Sequence, residues 1–351
     1  MDRISNTLIY SPEYSQNTWT KTAEYFDKNE EQLNKYENLT WTYRDVGRMI
    51  PMTTDNFWSG HFFPYSESVD ELQVSSNLAF SGFYKQAFVS LRGALELGLM
   101  SVYYNLNDDG HNVIKAWLRD DDSWDANTPK SKRIWSVLLS NNNIKRFDEK
   151  YDLQAQFKEL GFLSNFVHAK GYRYSNRVGK MKSNFQTFEF DVFQHWLTSY
   201  EKVVKLIAIL HMLKYPICTV RYDWHQKVGF DNPFPVCDIN IVDNLEGIVG
   251  SQYFEEIELI ANADETTQTL VKHILSMPDL TQDEHEEKII AFDKVMIEGG
   301  NGFEVWKENE LRMYLSASPK SKQKLEDKLC KLEHWAKLNG HYEPKFKISQ
   351  D

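Results

Sequence analysis

Apolar positions along the chain change pattern near residue 67. From Ser68 they recur at helical spacing: Val69, Leu72, Leu78 and Ala79 stand among polar neighbours, and Ser68 with Glu71 is spaced as a capping box, so a helix is predicted to Ala79. Phe83 to Leu106 is apolar on nearly every side and is closed by Asn107, Asp108, Asp109 and Gly110. Such a helix belongs in the middle of a bundle, because a surface helix shows one apolar stripe. Further helices are predicted from His111 to Arg119, from Lys130 to Leu139 after Thr128-Pro129, from Asp148 to Lys170 with Gly171 as a stop, and from Phe190 to Lys214 ahead of Pro216.

The first 66 residues lack this periodicity. Thirteen of them are aromatic, aliphatics are sparse and turn-forming residues interrupt throughout, which predicts an irregular arm pinned over a domain by its rings. Such an arm either covers its own core or offers an aromatic surface to a partner. Between Cys218 and Val242, Pro, aromatic and β-branched residues mix into an irregular connector with room for a short hairpin. Helical signals resume from Tyr253 to Ala261, from Asp264 to Met277, from a Thr281/Glu284 capping box to Ile297, and from Ser318-Pro319 to Leu338. The expected fold is all-α: an aromatic N-terminal arm (1–66), an up-down helical bundle (67–217) and a second helical region (218–351).

Composition narrows the function classes. At 41% hydrophobic and 26% charged over 351 residues, the chain is too apolar for general disorder. Its longest apolar run, Val203 to Leu213, contains Lys205 and His211 and falls short of the ~20 residues a membrane helix needs. The first residues carry Asp2 and Glu13 in place of a basic start and apolar stretch, so a cytoplasmic location is expected. Cys218, Cys237 and Cys330 form no C-x-x-C pair and are expected to be free thiols. The net charge of −11 is uneven: residues 1–217 carry −1 and residues 218–351 carry −10. An overall basic coat for general nucleic-acid binding is therefore excluded.

No P-loop, G-x-G-x-x-G, G-x-S-x-G or H-E-x-x-H signature is present, so no cofactor is expected. Asp191 and His195, four apart, supply only two of the ligands a closed metal site needs, and no metal is expected. Two features carry more chemistry. Arg92 lies among Phe88, Val89 and Leu95 in the most apolar helix, so its guanidinium needs a partner, and Glu96 four residues on is the candidate. That pair either fixes helix register or holds Arg92 in a cleft to meet a phosphate or reacting group. The second feature is His168, placed near a helix C-terminus, where the dipole favours the charged imidazole. It heads a stretch without acidic residues, in which Lys170, Arg173, Arg177, Lys180 and Lys182 alternate with Tyr172, Tyr174 and Phe185. This island either grips a nucleic-acid backbone or neutralises the acidic cluster at Asp120-Asp121-Asp122 and Asp125.

The segments SGFYKQAFVSLRGALELGLMSVYY (81–104) and LGFLSNFVHAKG (160–171) resemble the HEPN superfamily of four-to-five-helix bundles. The likeness covers about residues 67–215. It implies a role in prokaryotic defence or stress systems, assembly as a homodimer, and in active members metal-independent RNase activity. Active members carry an Arg five to seven positions before the His. Here those positions hold Gly161, Phe162 and Leu163, so His168 matches the pattern and its Arg does not. The resemblance therefore implies either a silent binding or adaptor module, or an RNase in which Arg92 and Asn165 join His168 from elsewhere in the bundle.

Overall fold

The computed structural model describes residues 10–51, 53, 55–56, 61–106, 111–119, 128–168, 170–175, 186–229, 233–313 and 319–345. Among them the chain is all-α and contains no strand. It divides into two compact units, one gathering residues 1–51, 56–222 and 234–273, the other 52–55, 223–233 and 274–351. The first unit thus takes in both the N-terminal segment and the first helices of the acidic half.

In the first unit the N-terminal segment is helical, not irregular: α1 (Pro12–Asp27) and α2 (Glu30–Val46). Ser11 caps α1 by accepting from the Glu13 N–H, with Pro12 at the first helical position. The apolar count hides α1 because its inner face is built partly of threonine: Thr18, Thr22 and Phe26, four apart, are its buried residues. The threonine hydroxyls return to backbone carbonyls, Thr22 to that of Thr18 at 3.0 Å and Thr18 to that of Gln186 at 2.5 Å. The arm's rings cover their own core. Tyr25, Phe26 and Tyr36 interlock with Phe80, Phe193 and Trp196, while Trp41 stays 60% exposed.

The centre of this unit is α4 (Tyr84–Leu106), enclosed by α3 (Phe63–Phe80) and α10 (Phe190–Lys214) as its apolar circumference requires. Gly98 permits the α4–α10 approach: a Cβ there would lie 2.9 Å from Ile207. The helix predicted to begin at Ser68 starts five residues earlier, at Phe63. Ser68 is no cap. It is buried within α3, donates to the Ala94 carbonyl at 2.7 Å and bonds the Tyr43 hydroxyl, so a core serine imitates the capping pattern.

Between α4 and α10 run α5 (Asn112–Leu118), α6 (Ser131–Leu138), α7 (Asn142–Tyr151), α8 (Leu153–Glu159) and α9 (Leu163–Val167). The single helix expected from Asp148 to Lys170 is broken. Asp152 adopts φ 50° and its carboxylate caps α8 through the Ala155 N–H, and a 3-10 turn over Leu160–Phe162 precedes α9. After α10 a 3-10 turn (Pro216–Thr219) and the short α11 (His225–Val228) occupy the connector, and no hairpin occurs among its described residues. The α12 (Ile239–Val249) and α13 (Ser251–Ala263) helices share the large core, and α14 (Glu265–Ser276) follows. Glu256 of α13 is nearly buried and stands 3.3 Å from Arg146 of α7, with the Lys150 ammonium on its other oxygen; Lys150 first, then burial and Arg146, set its titration, with the net effect of lowering its pKa.

The second unit packs α15 (Gln282–Gly299), α16 (Phe303–Met313) and α17 (Pro319–Asn339) around Ile297, Phe303, Leu325, Leu329, Leu332 and Ala336. The predicted Thr281/Glu284 capping box opens α15. Lys328 stands 3.0 Å from Asp293 and 2.9 Å from Glu310 beneath the Trp306 ring, joining three helices through one mostly buried cation. All three cysteines are free thiols, and no described helix is long and apolar enough to cross a membrane.

Candidate functional site

Both sequence features lie on one stretch of the first unit, where α9 packs on α4. The contact is aromatic. Phe88 of α4 stacks flat on Phe166 of α9, Phe162 meets both at their edges, and His195 of α10 packs against Phe88 and Phe162 at 5.3 and 5.0 Å. His195, spaced with Asp191 like a metal ligand, is thus part of an aromatic cluster. Among the described residues no group of three or more His, Cys, Asp or Glu could hold a metal.

One turn beyond Phe88 on α4, Arg92 forms its ion pair with Glu96, the partner expected from the sequence. The Arg92 side chain is 19% exposed and that of Glu96 44%, so the pair sits at the bundle surface and not within it. Gly93 beside it lets α3 come close, with the Glu71 carboxyl group 3.3 Å from where a Cβ would stand. A cavity of about 290 Å³ opens against the pair. Leu99, Met100 and Ile134 give it an apolar floor, and Thr128, Lys130 and Ser131 at the entry to α6 give it a polar rim. Sequence reasoning missed that rim, although Thr128-Pro129 marked the start of the helix carrying it. One cation, one carboxylate and an apolar floor suit a small ligand with a charged end.

Past Phe166 the chain winds into a turn. The His168 N–H donates to the Ser164 carbonyl at 3.0 Å, that of Lys170 to Asn165 at 3.1 Å, and Gly171 takes φ 73°, in the left-handed region glycine supplies. The Asn165 amide donates to the Tyr174 hydroxyl at 3.2 Å, and the Tyr174 ring stands edge-on to Phe166, its other neighbour being the Arg173 guanidinium 5.8 Å from the ring centre. Asn165 is therefore a turn-positioning residue. The side chains of His168, Lys170 and Arg173 are exposed, and His168 makes no side-chain hydrogen bond or ion pair with a described residue. Arg177, Lys180 and Lys182 lie outside the described residues.

The structure thus brings Arg92 to Glu96 and Asn165 to Tyr174, and makes no bond between Arg92 and His168. No family model, curated protein or solved structure matches the chain.

Proposed function

We propose that the protein is a HEPN-like helical-bundle module of a prokaryotic defence or stress system, acting in the cytoplasm by binding and not by catalysis. One observation carries the choice. An RNase of this kind needs a guanidinium free to meet the phosphorane-like transition state beside an imidazole that moves the proton. The Arg92 guanidinium is already neutralised by Glu96, and the His168 imidazole stands exposed and unbonded at the far end of α9. The same exposure favours contact: His168, Lys170 and Arg173 present two cations and an imidazole on a turn anchored by Asn165 and Tyr174. A single-stranded RNA backbone fits that surface, in a chain that works as a homodimer or on a protein partner.

The test is fluorescence anisotropy of labelled single-stranded RNA with the full chain at 50 and 200 mM salt, beside a gel assay for cleavage without metal and light scattering for mass. Salt-weakened binding with intact RNA, reduced in Lys170→Ala/Arg173→Ala, is expected. Cleavage that disappears in His168→Ala would replace this reading with the RNase one. Absence of both binding and cleavage would remove RNA and leave the protein-partner role.

A further inference from the structure

Away from the α4–α9 face, the first unit brings two imidazoles together from chain positions fifty residues apart. His61, buried just ahead of α3, packs against His111, the residue that opens α5, with ring centroids 4.1 Å apart and planes tilted by 50°. His111 has φ 65°, a left-handed conformation that costs a residue with a Cβ about 1–2 kcal/mol. Its Nδ1 is buried and has no hydrogen-bond partner. An orphaned buried nitrogen carries a further penalty of about 1–3 kcal/mol, and such atoms in native folds mark the place of a water or an ion. Strain and an orphaned lone pair thus fall on one residue, and that residue's ring faces a second imidazole. A water would satisfy Nδ1 and would give no role to the second ring. An ion that takes one nitrogen from each ring accounts for both.

We propose that His61 and His111 form an open two-imidazole site for a late first-row divalent cation of the Zn²⁺, Ni²⁺ or Cu²⁺ type, with solvent completing the coordination. Imidazole nitrogen is a preferred ligand of these ions and a poor one for Mg²⁺ or Ca²⁺, which take oxygen. With metal–nitrogen bonds of about 2.0–2.1 Å, two rings on one tetrahedral ion have centroids about 5 Å apart, so binding opens the pair by about 1 Å. No third protein ligand completes a metal-holding group among the described residues, which makes this an exchangeable site and not a closed structural one. The ion would tie the start of α3 to the start of α5. It therefore adds stability in proportion to its occupancy, and protons compete with it for both nitrogens.

The experiment is a calorimetric titration of the full chain with Zn²⁺ at pH 7.5 and pH 5.5, repeated with Mg²⁺ and with His61→Gln, His111→Asn and His334→Ala. Asparagine tolerates the left-handed backbone at 111, so that variant keeps the turn while removing the ring. His334, an exposed imidazole of the second unit, controls for surface binding. One Zn²⁺ per chain is expected at pH 7.5, weakened at least tenfold at pH 5.5, unchanged in His334→Ala and weakened at least tenfold in the other two variants, with no Mg²⁺ heat. Thermal melts with and without Zn²⁺ should rise for the wild type and for His334→Ala only. No Zn²⁺ binding at pH 7.5, or binding that His111→Asn leaves intact, overturns the proposal; His111→Asn decides alone if His61→Gln does not fold.

Discussion

Phe88 of α4 and Phe166 of α9 lie face to face, ring centroids 4.7 Å apart and planes 5° from parallel. Both are buried, and Phe166 is the last core residue before the turn that exposes His168, Lys170 and Arg173. The short α9, five residues long, has too few internal hydrogen bonds to hold itself, so this stack fixes where the turn begins. Phe166→Ala should cost about 3–5 kcal/mol in urea unfolding and make the 163–175 segment cleavable by protease under native conditions. Phe166→Leu, which keeps most of the volume, should cost about half as much or less. Equal loss in both would show that bulk, not the stacked ring, is irrelevant to anchoring the turn.

His211 gives acid sensitivity a single address. It is fully buried on α10, its Nδ1 is 2.9 Å from the Ile207 carbonyl and its Nε2 3.1 Å from the Ser101 hydroxyl; burial, partly opposed by the Ile207 carbonyl, pushes its pKa down from 6.5 to about 4. A histidine with a folded pKa below its unfolded one is stabilising in its neutral form. That stability is complete above about pH 6.5 and lost as pH falls toward 4, up to about 3 kcal/mol. His211→Gln should flatten the fall in unfolding free energy between pH 7 and pH 4.5 relative to the wild type. Parallel pH curves would show that other groups carry the acid sensitivity.

Gly98 marks the closest approach of the two central helices. Alanine there gains helix propensity of about 1 kcal/mol but drives its Cβ against the buried, β-branched Ile207, an overpacking penalty of about 1–3 kcal/mol. Gly98→Ala should therefore be net destabilising, and Ile207→Val in the same chain should recover part of the loss. A double mutant no better than the sum of the single ones would refute a direct clash.

The central bundle was legible because Phe83–Leu106 and Phe190–Lys214 are long and apolar, so tertiary packing and local pattern agree. The helices at 12–27 and 30–46 were not. Their buried faces use Thr18, Thr22 and Thr42, which count as polar until their hydroxyls are seen to be bonded within the core. Ser68 misled for the same reason. Around the site, the Arg92–Glu96 pair followed from helical spacing, whereas the Asn165–Tyr174 tie depends on a turn whose path a helix-period reading of 148–170 conceals. The His61–His111 pair had no sequence signal, since only the fold brings the two together.

In the second unit Lys328 serves two carboxylates, and Asp293 has its pKa raised by burial despite that cation. Lys328→Met leaves two mostly buried acids without a counter-charge and should destabilise α15–α17 by about 3 kcal/mol at pH 7.5. Protonation relieves uncompensated carboxylates, so the loss should shrink at pH 5. Hydrogen exchange across residues 282–339 at both pH values checks this, and an undiminished loss at pH 5 would show that packing of the lysine stem against Trp306 dominates.

Exposed residues of the α9 turn should separate binding from folding. His168 has no bonded side-chain partner among the described residues, so His168→Ala should change stability by no more than about 0.5 kcal/mol. Lys170 and Arg173 are exposed cations, and each phosphate contact to single-stranded RNA lost with them should lower the slope of log K against log salt by about 0.7. Lys170→Ala/Arg173→Ala should thus weaken RNA binding most at low salt and leave the melting temperature unchanged. Asn165→Ala touches no phosphate on this view: it releases Tyr174, so it should weaken binding without altering the salt slope. Anisotropy titrations at four salt concentrations distinguish the two effects, and an Asn165→Ala slope as shallow as the double mutant's would place Asn165 among the phosphate contacts instead of behind them.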